Sequence, residues 1–365
     1  MASKKRRSGR GKAPRQGISG NPQRRAEQLA QRQSAITDFS SFRDMAYALA
    51  GGASPRPWWA GSHQRILAAA RALTWPSCPV DLETETCRIV GDEFYERFDS
   101  GSSGLQPSQW LLALAEETGA QLRASAADGT GDWPQLWALL CGLALTVPPG
   151  DPESETAKLA RETFPDIKDP YETVLAEAAQ AAKLLADRGL AAGLEAPAAG
   201  ARPAGDPQVA CDAYGSRFLL VAPFGYDGGE ADHWYAWDID SCWILNVVGA
   251  GAFGSAQDAL AEWQQAVGPA AGTELFPCAP DMTARLLAAC LRTGPISDML
   301  EGFEPRELIR EYYRLRRRAR ALVRSADAPT SSETHDPEPV HEAFLSWYAA
   351  RHGEVPDDTA DAVGT

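Results

Sequence analysis

The sequence predicts an α+β fold, predominantly α-helical: a helical N-terminal domain, a small antiparallel β-β-β-α module and C-terminal helices. Three observations carry this reading. Apolar residues recur at helical spacing from Phe39 to Gly189. Between Arg217 and Val248 the texture changes to short β-branched and aromatic runs, followed by an amphipathic helix that Ser255 caps. Past Pro280 the helical spacing returns, with its longest stretch at Glu304–Arg324.

In chain order, residues 1–35 read as a basic arm with almost nothing to bury, expected to be largely disordered. Asn21-Pro22 offers a helix start within it. Residues 36–189 read as one helical domain. Phe42, Met45, Ala46 and Leu49 form a first stripe that Gly51-Gly52 ends. Trp59, Ile66, Leu67 and Ala70 form a second, and Asp81 caps a third with Ile89, Val90, Phe94 and Phe98. Pro107 opens a helix bearing Trp110, Leu111, Leu114 and Leu122, and Asp132 precedes the apolar run Leu136–Val147. Asp151 and Asp169-Pro170 start two more helices, the last ending at Gly189. That apolar run is too short for a bilayer, which needs about 20 residues, so it reads as a core helix. No fixed repeat period runs through the domain.

Residues 190–208, rich in Ala, Gly and Pro, read as a linker, and residues 209–277 as the β-β-β-α module. Its strands are expected at Arg217–Phe224, His233–Asp240 and Ile244–Val248. Connections this short force an antiparallel meander with the helix on one face. Residues 278–325 follow as a C-terminal helical segment, 326–339 as a second linker, and 340–365 as a short helix with an acidic tail.

Charge is distributed unevenly. The net charge is −14, yet residues 1–32 hold ten of the 35 cations and one of the 49 acids. A basic arm on an acidic body is a pattern of interaction tails, often for nucleic acid. Lys4, Lys5, Arg6, Arg7, Arg10, Lys12, Arg15, Arg24 and Arg25 are the candidate phosphate contacts, and such contacts carry no sequence readout. Arg314, Arg317 and Arg318, on the Arg-rich helix, are added as candidates for the same DNA or RNA backbone. The opposing reading pairs those arginines with Glu304, Glu307 and Glu311 and with the acidic body.

Two other classes are weighed. A protein partner is expected to dock on the aromatic residues of the β module, Trp234, Tyr235, Trp237 and Trp243. An enzyme with a divalent-metal site is placed near Asp238 and Asp240, two apart on one strand face, with His233 and Glu230 near in sequence.

Gly249-Ala250-Gly251-Ala252-Phe253-Gly254 matches G-x-G-x-x-G between a strand and a helix. The dinucleotide reading is rejected, because that strand is the third of a meander and no βαβ alternation follows. No cofactor is therefore expected. The seven cysteines include no C-x-x-C pair, so neither a zinc finger nor a thioredoxin-like site is expected, and no metal ligand is assigned. No G-x-S-x-G, P-loop, H-E-x-x-H or EF-hand pattern occurs, so no residue is assigned a catalytic role. The odd cysteine count and the absence of an apolar leader fit a reducing, cytoplasmic setting without membrane contact. The Ala-, Gly-, Pro- and Arg-rich composition fits a bacterial one.

The passage Gly251-Ala252-Phe253-Gly254-Ser255-Ala256-Gln257-Asp258-Ala259-Leu260 is similar to the strand-to-helix passage of small antitoxin domains of the HicB type. The resemblance is confined to the β module. It implies short antiparallel strands before a helix, and no site residue is carried over from it. The expectation for function is a non-enzymatic binding or regulatory protein contacting nucleic acid through its arm.

Overall fold

Proline fixes φ near the helical value and lacks the N–H that a first turn leaves unbonded, so it is at home where a helix begins. Seven of the nine described helices begin on one. They are α1 (Pro57–Ala70), α2 (Pro79–Asp99), α3 (Pro107–Asp128), α5 (Pro170–Asp187), α7 (Pro280–Thr293), α8 (Pro305–Ser325) and α9 (Pro337–His352). The other two are α4 (Trp133–Thr146) and α6 (Ala256–Val267). The computed structural model describes residues 57–73, 78–99, 107–129, 131–149, 170–190, 200–226, 231–242, 245–293, 305–326 and 337–352, all within one compact unit. The basic arm, the stripe at 42–49 and the helix expected from Asp151 lie outside the described residues.

The α+β, predominantly helical architecture is as the sequence predicts. Strands β3 (Arg217–Gly225), β4 (His233–Asp240) and β5 (Asn246–Phe253) form the expected antiparallel meander. Three short strands join it: β1 (Arg202–Pro203), β2 (Gln208–Cys211) and β6 (Phe276–Pro277). The sheet order is β5-β4-β3-β2-β6, with β1 pairing β3. Segment 190–208, read as a linker, thus contains β1 and the first residue of β2. Strand β5 runs five residues past the expected end at Val248, so Gly249 and Gly251 lie inside it. The glycine motif is part of an edge strand up to Phe253, and only Gly254 lies in the connection to the helix. Gly249 has a local reason to be glycine: a Cβ there would stand 3.3 Å from Cβ of Asp238. Ser255 caps α6 as expected, its hydroxyl accepting from Asp258 N at 3.1 Å.

Alternation sends the two faces of the sheet to different cores. On β3, Leu219 and Val221, with Ala210 and Ala236, meet Ala259, Leu260 and Trp263 of α6. The other face supplies Phe218, Leu220, Phe224, Tyr235, Trp237 and Ile239 to the main core, which continues through residues of every described helix except α6. Helix α8 is central to that core. It packs on α2, α4 and α7 and against β1 and β5. A Cβ on Gly91 of α2 would collide with Cα of Arg310, so the two helices cross backbone to backbone there.

Candidate functional site

The arginines of α8 divide by position. Arg306 and Arg310, near its start, are half-buried and reach Asp92 and Glu96 of α2. Arg314, Arg317 and Arg318 are buried, at 2%, 7% and 0% exposure. With Glu311 they occupy the i, i+3, i+4 face that also carries Leu315 and Leu322. The apolar stripe alone understates the buried face, because α8 has partners on several sides. This corrects the expectation that these three contact nucleic acid: no phosphate reaches a guanidinium spent inside the core.

Their partners form one network. Arg314 donates from Nε to Glu311 Oε2 at 2.7 Å and from Nη1 to Thr84 Oγ1 at 2.9 Å. Tyr235 Oη donates to Glu311 Oε2 at 2.8 Å. Arg318 donates from Nη2 to Glu83 Oε2 at 2.6 Å and to Tyr226 Oη at 3.2 Å, and faces His233 Nε2 at 3.3 Å. Its guanidinium lies over the rings of Phe224 and Tyr226, 5.1 and 5.7 Å from their centroids. Arg317 turns the other way. It donates to the carbonyls of Ala144 and Val147 at the end of α4, where orphan carbonyls gather, and lies over Tyr171.

Two carboxylates, Glu83 and Glu311, meet two guanidiniums, Arg314 and Arg318, so the core of the network is neutral. Burial disfavours the charge on Arg318, but Glu83 and Tyr226 together more than restore it, and its pKa stands above the usual arginine value. Burial likewise opposes Arg314, and its neighbours, Glu311 first among them, outweigh it. For Arg317, held mainly by carbonyls, burial prevails and the pKa is lowered. Glu83 Oε1 and Arg318 Nε and Nη1 have no hydrogen-bond partner among the described residues. A half-satisfied buried network is sensitive to any change in its members.

The other expected sites are not assembled. Trp234 points to the α6 face while Tyr235 and Trp237 point to the main core, so they form no common docking face. Tyr235 and Trp237 are fully buried, and Trp243 lies outside the described residues. Asp238 and Asp240 do share a face, but Asp238 is spoken for. It accepts from Arg217 Nε at 2.9 Å and from Trp263 Nε1 at 3.0 Å. Asp240 accepts from Cys242 N at 2.8 Å, and burial raises its pKa. His233 is on the opposite face at the far end of β4, so it joins neither carboxylate. Among the described residues no group of three His, Cys, Asp or Glu is placed to hold a metal. Burial pushes all seven thiols up, Cys278 to about 11 and Cys211 to about 12, so none is a thiolate near neutral pH.

Sequence reading missed Glu83. Its signal is a carboxylate in the stripe Glu83, Thr86, Cys87, Val90, Phe94 of α2, all buried. An ionised group at a stripe position requires a buried counter-charge. Comparison with family models, with curated proteins and with solved structures finds no match to this chain.

Proposed function

We propose that the chain is a non-enzymatic binding protein, tethered to DNA or RNA by its basic arm, with the acidic body as the regulatory or recruiting part. The observation that carries this reading is the segregation of charge: ten cations and one acid in residues 1–32, against 25 cations and 48 acids in the rest. Supporting it, the arginines of α8 from 306 to 320, Arg316 apart, hydrogen-bond to acids, hydroxyls or carbonyls of the body, and Arg316 lies over Tyr312. Helix α8 therefore offers a phosphate few free cations, which favours the arm as the source of the contacts. Leu175 and Tyr214 are the exposed large hydrophobics among the described residues. They form no broad apolar patch of the kind a docking scaffold presents.

The test is fluorescence anisotropy with mixed-sequence duplex DNA and with RNA, comparing the full chain with one lacking residues 1–35 across a salt series. For duplex DNA, log affinity of the full chain is expected to fall linearly with log salt, by about 0.9 per phosphate neutralised. The truncated chain is expected not to bind. Equal binding by both chains, or none by either at low salt, refutes the proposal.

A further inference from the structure

His233 opens β4 and is 4% exposed. Its ring is stacked between Phe224 and Tyr226, with centroids 6.0 and 5.6 Å away. Nδ1 meets the carboxylate of Asp232, so the proton sits there. Asp232 is itself fixed: its backbone N–H donates to Phe224 O at 2.9 Å, and its second oxygen accepts from Tyr226 N at 3.2 Å. Nε2 is therefore a bare lone pair, and it faces Arg318 Nη2 at 3.3 Å. Arginine remains charged at any physiological pH and has no acceptor atom. Nη2 of Arg318 is also the atom that reaches Glu83 of α2 and Tyr226 at the end of β3. One guanidinium nitrogen, with two hydrogens for three acceptors, thus ties α8 to α2 and to the sheet, and the imidazole lone pair is the longest of its three contacts.

We propose that the His233–Arg318 contact is an acid-sensitive latch, which holds α8 on the sheet while Nε2 is unprotonated and releases it when Nε2 takes a proton. Protonation turns acceptor into donor and sets two cations against each other in a buried space. Burial and the Arg318 charge oppose that proton, while Asp232 and Glu83 favour it; the first two prevail, and the pKa of His233 is lowered. The groups facing His233 are Arg318 from α8, Glu83 from α2, Tyr226 just after β3 and Asp232 just before β4.

The sign follows from linkage. The unfolded chain takes the proton first, below about 6.5, so the folded state loses ground as pH falls from there toward the lowered folded pKa. Urea unfolding of the full chain is compared with His233→Gln, whose amide oxygen keeps an acceptor toward Arg318 without titrating. Between pH 7.5 and 5.5 the wild-type folding constant is expected to fall by up to about tenfold more than the variant's. Hydrogen exchange at pH 5.5, corrected for intrinsic rates, is expected to rise selectively at the end of α8 and the start of β4. In the unmodified protein, NMR of the imidazole is expected to report the Nδ1–H tautomer at pH 7.5, and protonation only together with that rise in exchange. An ordinary titration near 6.5 without change in α8 overturns the proposal, as does a His233→Gln curve parallel to the wild type. All three readouts are independent of nucleic-acid binding, so the arm reading can fail without affecting this one.

Discussion

Glu83 and Arg318 are each fully buried, and their ion pair is the centre of the network between α2, α8 and the sheet. Removing one member strands the other charge in the core, which in buried pairs costs about 3–5 kcal/mol. Glu83→Gln is expected to destabilise the chain on that scale in urea unfolding. Replacing both, as Glu83→Leu with Arg318→Met, is expected to recover most of the loss, since well-packed apolar pairs often match buried ionic ones. A double variant as unstable as the single one would show that specific contacts to Tyr226 and His233 matter more than charge balance. Arg71 and Asp132 make the contrast, being more than half exposed at 3.3 Å. Such a pair contributes about 0–1 kcal/mol.

At the scale of elements, some helix starts were legible because their chemistry is local, but Asp81, read as a cap, lies in the first turn of α2, which begins at Pro79, and α9 begins at Pro337, inside the segment 326–339 read as a linker. Pro107, Pro170 and Ser255 needed only their own first turn to be read. Asp132 shows the limit: it stands at the N-cap of α4 but makes no side-chain cap bond, turning to Arg71 instead. Ser255→Ala is therefore expected to cost about 1 kcal/mol by thermal unfolding, and Asp132→Ala clearly less. The crossing of α2 and α8 at Gly91 was not legible, because nothing in either helix alone requires contact with the other. Gly91→Ala is expected to force the two apart and to lower the melting temperature, although alanine favours helix more than glycine does. The edge position of β5 explains its misjudged length. Glycine and alanine read poorly as strand, and ladder bonds to β4 overrode that preference.

For the whole molecule, charge decides what can be read at a distance. Substituting Arg24 and Arg25 by alanine is expected to weaken nucleic-acid binding and to flatten the salt dependence by about one unit of slope per residue lost. Arg317→Gln is expected to change stability and leave that slope unchanged, because its guanidinium is occupied by the carbonyls of α4. His63 and His341 also have pKa values lowered by burial, so they add to His233 in the same direction. Stability is expected to decline as pH drops below about 6.5, before carboxylates titrate, and calorimetry at pH 7.5, 6.5 and 5.5 would register it. Among the described residues no helix is long and apolar enough to cross a membrane, as the short run at 136–147 already indicated.

The sequence by itself determined the helical spacing, the antiparallel meander and its capped helix, and the division of charge between arm and body. These depend on neighbours within a few residues, or on composition. The tertiary structure decided which charges are free. Arg314, Arg317 and Arg318 look like a cationic flank when α8 is read alone, and become interior when α2, α4 and the sheet close around it. Trp234 and Tyr235 look like one aromatic cluster, and the pleat sends them to opposite cores. Periodicity reports which side of an element is apolar; only packing tells how many of its sides are covered.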